Sequence, residues 1–540
     1  MRTAFAPIFI VLVAALATSP ARDGSFIYDD VFYVGGNAAV TGEASPWVTP
    51  LGEPSQGLWR PLTVATFAAQ WGRSHDPEAF LTFNIVLHLA VSLLVYSLAQ
   101  RLGWGDFGAL ASGLLFAAHP VHAEVVGWVS GRAELLAALF AAGAWIGHLS
   151  DRRSAGWISA FLLLAACLSK ENALAIPAVF VLGDLLVKRR PLPKKRYVGF
   201  ALVIIAVTIA RAQVLGPHFI PADPPLGDIA LLDRPAIATG ILGLATRLLV
   251  WPHPLRMHYH RDQFLSLEGE RLAIVIAFFF LLLLLRRQNR GAAVVLALVP
   301  VAMLTVLNLV PIGAAFAERF LYLPSIPFCL GVGALLGQRA KKERAAGRGL
   351  GASLAILLIL LGTAIPASRS AISVLRDDLT LWAHAADVAP RDAHSRYNHG
   401  RWLFEANQFL SKGQGHPSAT DELWASLHLD PGHLYAGFAH QMLGQAAMEA
   451  LDRPLPDLEL AAYHFKEATR RLTTPDATFN LAAIALAAPG IVSAREVQQR
   501  LRALGEGQEL NDVEQATRQH LMNQLAEVSQ DTGTSSADGS

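Results

Sequence analysis

Long apolar runs separated by short polar breaks fill the first two thirds of the chain, and most are of a length to cross a bilayer as helices. They fall at 4–20, 80–99, 107–120, 133–149, 157–168, 172–187, 197–215, 272–285, 292–311, 324–337 and 350–366, which predicts about eleven spans. A further apolar segment, 236–252, reads as an in-plane or re-entrant helix, because a full crossing there would upset the alternation of the loops. The first run follows Arg2 and also admits a signal-peptide reading. Arg101, Asp151-Arg152-Arg153, the cluster KRRPLPKKR at 188–196, Arg286-Arg287 and the basic stretch from Arg339 to Arg344 all fall on one side. The positive-inside rule makes that side cytoplasmic. The loops carrying Asp29-Asp30, His119 to Glu124, Ser169 to Glu171, and Glu318-Arg319 then open together on the opposite face.

After Pro366 the pattern changes to ordinary charge content with small and large apolar residues at helical spacing. Three segments, around Pro390, Pro431 and Pro475, share a polar helix end, a proline and then a helix with small residues at packing positions. That is the look of tetratricopeptide helix pairs, although the proline intervals of 41 and 44 residues exceed the usual repeat. An unrelated helical domain is the alternative. The predicted fold is therefore all-α: a polytopic membrane bundle over 1–366, a soluble TPR-like domain over 367–525, and a disordered tail over 526–540.

Composition agrees with this pattern. Of 540 residues 53% are hydrophobic and only 16% charged, with mean hydropathy +0.37, a balance suited to a membrane protein. The net charge of +1 gives no reason to expect a nucleic-acid partner. The two cysteines, Cys167 and Cys329, lie in apolar runs and supply neither a disulfide framework nor a thiolate metal site.

Five polar constellations interrupt the apolar sequence, besides the acidic pair Asp29-Asp30 with its flanking Phe26, Tyr28, Phe32 and Tyr33. Carboxylates are costly in hydrocarbon, so a pair held just outside it is a candidate site. Arg60, in WRPLT, suits either an interface anchor or a phosphate contact. His119, His122 and Glu124 could ligate a divalent metal, but three ligands from six residues containing a proline make poor tetrahedral geometry. Hydrogen bonding to the acidic pair or to a sugar is the stronger reading, and no cofactor is firmly implied. Arg132 with Glu134, Lys170 with Glu171, and Glu318 with Arg319 place charged neighbours at helix ends, where they suit an anionic ligand with a lipid tail. Such a layout fits glycosyl transfer from a polyprenyl phosphate sugar: cations hold the phosphate and stabilise its charge as it leaves, while a carboxylate takes the acceptor's proton. No soluble nucleotide-binding domain is evident.

The motifs FIYDD, WRPLT, NIVLH, HPVHAEVVGWVSGRAELLAALF, LSKEN and NLVPIGAAFAERFLYLPSIPFC occur in this order over about residues 5–370. In this they resemble the transmembrane and tetratricopeptide-repeat O-mannosyltransferases, multi-spanning glycosyltransferases of fold C. The resemblance implies that Asp29 and Asp30 are catalytic, with Asp29 the favoured base. It also implies a polyprenyl phosphate sugar donor, dolichyl phosphate mannose in eukaryotes. The chain departs at His258, where an Asp before Tyr259 is expected, and in its short, irregular repeat region. Short loops and Ala-rich spans give it a bacterial look. That look implies the inner membrane, a periplasmic site and an undecaprenyl-type donor, while span parity puts the C-terminal domain on the same face, where stacked helical repeats are expected to hold a polypeptide acceptor. The rival classes are a transporter or flippase, which should show inverted repeats, and a non-catalytic scaffold.

Overall fold

The computed structural model describes residues 5–534 except 52–55, 153, 189–191, 266–267, 410–416, 453–454, 473 and 508–509, so Arg153 and part of the 188–196 cluster lie outside the described residues. The chain is helical throughout, with no strand among the described residues, and divides into two compact units, Met1–Leu381 and Trp382–Ser540.

In the first unit, α1 (Ala6–Thr18) is followed by the loop carrying the acidic pair, then by α2 (Pro61–Trp71) and the long α3 (Pro77–Leu102). The ends of α3 are written in the sequence. The Asp76 carboxylate accepts from the Glu78 N–H at 3.0 Å, Pro77 takes the first helical position, and Gly103 stops the helix in the left-handed region at φ 85°. The chain continues through α4 (Gly105–Ala118), α5 (Ala123–Gly127), α6 (Arg132–His148), α7 (Ala155–Ser169), α8 (Ile176–Leu182), α9 (Lys194–Leu215), α10 (Arg234–Val250), α11 (Gly269–Gln288), α12 (Arg290–Leu296), α13 (Leu298–Ala302), α14 (Tyr322–Ala345) and α15 (Gly351–Ser373).

Six helical segments among the described residues are long and apolar enough to cross a membrane: Ala6–Asp23, Pro77–Leu102, Val129–His148, Lys194–Phe219, Glu318–Ala345 and Gly351–Ser373. The pair Gly105–Ala118 and Pro120–Gly127, bent by 49°, makes a seventh if taken as one broken span. The expected eleven exceeds this count because several apolar runs do not form one continuous helix. The 157–168 run lies in a helix of 15 residues, about 22 Å at 1.5 Å per residue and short of a ~30 Å core. The 172–187 and 292–311 runs break into short pieces, and α11 carries Glu270, Arg271, Arg286 and Arg287 at its ends. The 236–252 segment forms α10, of 17 residues. The chain is a membrane protein by these helices; span parity alone does not assign its faces.

One helix crossing positions the site. Small residues four apart, Gly108 and Ser112 on α4, meet Gly333 and Gly337 on α14. A methyl group on Gly108 would come within 2.9 Å of the Gly333 carbonyl and 3.1 Å of the Gly337 Cα. Gly and Ser spaced in this way let helix backbones touch. The crossing holds the segment leaving α4, His119 to Glu124, beside the segment entering α14, Glu318-Arg319.

In the second unit, consecutive helices pack in pairs: Ala393–Glu405 on Ala419–Leu429, Ala436–Met448 on Leu458–Thr469, and Asp476–Ala487 on Ala494–Gly507. Glycines sit where the helices approach most closely, with a methyl on Gly400 falling 2.9 Å from Leu423 and one on Gly444 falling 2.8 Å from the Phe465 ring. The division of the chain falls after Leu381, and α15 runs through Pro366 to Ser373. The last helix, Asp512–Thr534, includes much of the segment expected to be a tail; 535–540 lie outside the described residues.

Candidate active site

The two aspartates have different surroundings. Asp30 is fully buried, and its carboxylate accepts from the Ser130 N–H at 2.8 Å, the Val129 N–H and the Ile27 N–H at 3.3 Å, and the Ser130 hydroxyl. It thereby ties the acidic loop to the turn before α6. Burial pushes its carboxyl up to about 7, with the bonds from Ser130 and Ile27 pulling the other way. The Asp29 carboxylate is half-buried and makes no hydrogen bond or ion pair among the described residues. Burial raises it to about 6 against the opposing fields of Arg319 and Arg60.

Tyr28, just before Asp29, has φ +48°, a conformation costing a non-glycine residue about 1–3 kcal/mol. Its ring lies 5.9 Å from that of Trp128, and the Arg319 guanidinium sits 5.0 Å from the centroid of the same indole. Trp128 is therefore a buried floor shared by the acidic loop and the nearest cation.

Around Asp29 the charged residues at the helix ends pair with partners distant in sequence. Arg60 makes a two-pronged bond to Glu171, Nε to Oε2 at 3.0 Å and Nη2 to Oε1 at 2.6 Å. This leaves the Nη1 protons open to an anion. Lys170 pairs with Glu134, both buried, and Arg319 pairs with Glu124, which also accepts from the Arg319 N–H at 2.7 Å. Glu318 accepts from the Tyr259 hydroxyl at 2.6 Å and the Arg256 N–H at 2.5 Å. The 253–262 loop is thus anchored through Tyr259, next to the departing His258. Burial lowers Lys170 to about 8 although Glu134 holds it charged, while Glu171 overcomes its burial and is driven well below the carboxylate range by Arg60 and Arg211.

Arg132 lies apart from this cluster. Fully buried, it donates to Asn84 at 3.1 Å, Gln70 at 2.8 Å and the Phe80 carbonyl at 3.1 Å, in a cage of the Phe67, Phe80 and Phe83 rings. A guanidinium without a carboxylate partner needs such bonds to stay buried. It locks α2, α3 and α6 together. The two histidines also serve packing: His119 Nε2 meets the Leu249 carbonyl at 3.0 Å and His122 Nε2 meets the Ser325 hydroxyl at 2.8 Å. With Glu124 committed to Arg319, the three do not converge. Among the described residues no group of three His, Cys, Asp or Glu side chains could hold a metal.

Sequence reading missed Arg211, which lies 3.8 Å from Glu171 and donates to the Gly57 carbonyl; a lone Arg inside an apolar run was the available signal. It also missed Ser130, whose role needs the fold.

A small apolar crevice lies among three helices of this unit. Its lining includes Ala141 and Trp145 on α6, Ile176 and Val179 on α8, and Leu323 and Ile326 on α14. Glu134, Glu171 and Arg319 stand at or just before the starts of these same helices.

The nematode Caenorhabditis elegans has a relative named protein O-mannosyl-transferase F38B6.6, 27% identical over 439 residues. The match takes in 76% of this chain and 60% of the worm protein. The chain is homologous to the protein O-mannosyl-transferases. The mouse protein O-mannosyl-transferase TMTC4 is 26% identical over 486 residues, 74% of this chain and 64% of its own length. The human TMTC4 O-mannosyl-transferase is 30% identical over 223 residues, 34% of this chain and 29% of its own. The chain thus spans somewhat under two thirds of the longest-matching O-mannosyl-transferases. No family model and no solved structure matches it.

Proposed function

We propose that the protein is a membrane glycosyltransferase that moves a hexose such as mannose from a polyprenyl phosphate to a hydroxyl, a polypeptide Ser or Thr being the acceptor the relatives' names suggest. The observation that carries this reading is Asp29: a carboxylate without a hydrogen bond, raised to about 6, beside Arg60 and Arg319. A general base works best with a pKa near the working pH. In the proposed step the acceptor oxygen attacks the anomeric carbon and its proton passes to Asp29. The bond from that carbon to the phosphate oxygen breaks, and the lipid phosphate leaves with the electron pair. Arg60, Arg319 and Lys170 stabilise the charge it gains. The site and the second unit are assigned to the non-cytoplasmic face, in the inner membrane if the source is bacterial.

Purified protein in nanodiscs, given polyprenyl phosphomannose and a Ser/Thr-containing peptide, should transfer or hydrolyse mannose, and Asp29→Asn should not. Near wild-type turnover by both Asp29→Asn and Asp30→Asn would remove the assignment of the acidic pair.

A further inference from the structure

The loop that presents Asp29 is pinned at both ends, and only one pin is local to the N-terminal half. Asp30 fixes one side to Val129 and Ser130. On the other side, 350 residues further along the chain, Asp378 accepts from the Tyr28 N–H at 3.0 Å. Asp378 is 7% exposed and opens the helix Asp378–Val388. The segment before it adds two bonds, because the Arg376 carbonyl accepts from the Ser25 N–H at 2.9 Å and from the Ser25 hydroxyl at 3.0 Å. Gly24 lies against Leu81, where a Cβ would come within 2.9 Å of Cδ1. Tyr28, at φ +48°, is in a conformation that an L side chain adopts only when its surroundings hold it there.

We propose that Asp378 is a positioning residue for Asp29: its carboxylate, by accepting from the Tyr28 N–H, holds the left-handed turn at Tyr28 that sets the direction of the adjacent Asp29 side chain. The inference rests on reading Asp29 as the base. Release of the Tyr28 N–H lets the turn relax to ordinary φ, and the carboxylate swings away from the acceptor hydroxyl. Misplacement of a reacting group by about 1 Å costs on the order of a hundredfold in rate. Since this bond bears on the direction of Asp29 and not on Arg60 or Arg319, the loss belongs in kcat and not in the donor KM.

The test uses the full chain in nanodiscs. Asp378→Ala should lower kcat about ten- to hundredfold with the donor KM within about twofold. Asp378→Asn, whose amide oxygen still accepts from Tyr28, should restore most of the rate. A second readout follows the loop without chemistry: Asp29→Cys supplies an accessible thiol beside the buried Cys167 and Cys329, and its rate of reaction with a water-soluble maleimide should change severalfold on adding Asp378→Ala but not Asp378→Asn. An unchanged thiol rate with Asp378→Ala, or an Asn variant as impaired as the Ala one, overturns the positioning role. If Asp29 is not the base, Asp29→Asn stays active while the thiol still responds to Asp378→Ala, so the two failures are separable.

Discussion

Lys170 and Glu171 adjoin in the chain and turn to opposite partners, Lys170 to Glu134 on α6 and Glu171 to Arg60 at the start of α2. The 170–171 step therefore staples two elements of the candidate site. Each pair keeps a cation charged in a place where an isolated one would be expensive, and keeps it within the field of Asp29's neighbours.

The aspartates should separate by phenotype. Asp29→Asn removes the proton acceptor without changing shape and should cost about two to four orders of magnitude in rate, with an unchanged melting temperature. Asp30→Asn keeps one accepting oxygen but sets its NH2 group against donors that the other carboxylate oxygen served, and should cost about 1–3 kcal/mol of stability. Thermal melts and single-turnover assays on the same preparations check both.

Activity and stability should run in opposite directions with pH. Protonation of Asp29 at about 6 stops it from accepting a proton, so kcat/KM should fall as pH drops through that value. Asp29 and Asp30 are both raised above their ordinary 3.8 in the folded state. Their stabilising contribution is therefore complete below about 3.8 and is lost as pH rises through 6 to 7. Melting temperature should climb modestly from pH 8 to pH 5 while the rate declines. A parallel fall of both would contradict this.

The cations divide into two classes. Arg60→Ala leaves Glu171 with Arg211 at 3.8 Å, so the fold should survive while the donor KM rises about tenfold or more, the worth of a charge-assisted bond. Arg132→Gln should instead lower the melting temperature and leave the donor KM of the surviving fraction alone. Equal KM increases in both variants would merge the classes.

Most of the site was legible as residue types and little of it as pairings. Apolar breaks at 29–30, 119–124, 170–171 and 318–319 marked the charged segments, because charge in an apolar run needs a reason. Which carboxylate meets which cation depends on helix crossings that one-dimensional spacing does not encode, and so Arg132 read like Arg319 although one is caged by phenylalanines and the other is paired with Glu124. Asp378 gave no signal at all, since an Asp before a helix is ordinary capping chemistry. In the fold, apolar composition located the runs and overstated the spans, as at 172–187, where the chain breaks into a single turn, α8 and a wide turn.

The second unit should matter to the acceptor and not to the donor. Removing the residues after Val388, which keeps the helix Asp378–Val388 and its bond to Tyr28, should spare hydrolysis or transfer to a small hydroxyl and reduce transfer to a polypeptide, because stacked helix pairs offer a surface for extended chains. Equal losses with both acceptors would make the unit a support for the bundle. Orientation is checked first, by placing single cysteines at Ser418 and Ala345 and labelling intact cells with an impermeant reagent. Label at 418 alone is expected; label at 345 alone inverts the assignment.

The crossing of α4 and α14 brings backbone against backbone at Gly108 and Gly333, with only the small Ser112 side chain seated against Gly333. Such a joint behaves as a hinge pin: a thinner or thicker bilayer can tilt the two helices together but cannot pry them apart. The separation of Glu124, on α5 just past the end of α4, from Arg319, just before α14, should then be nearly blind to lipid chain length. Catalysis ought to keep its rate across membranes in which looser helix pairs would lose register.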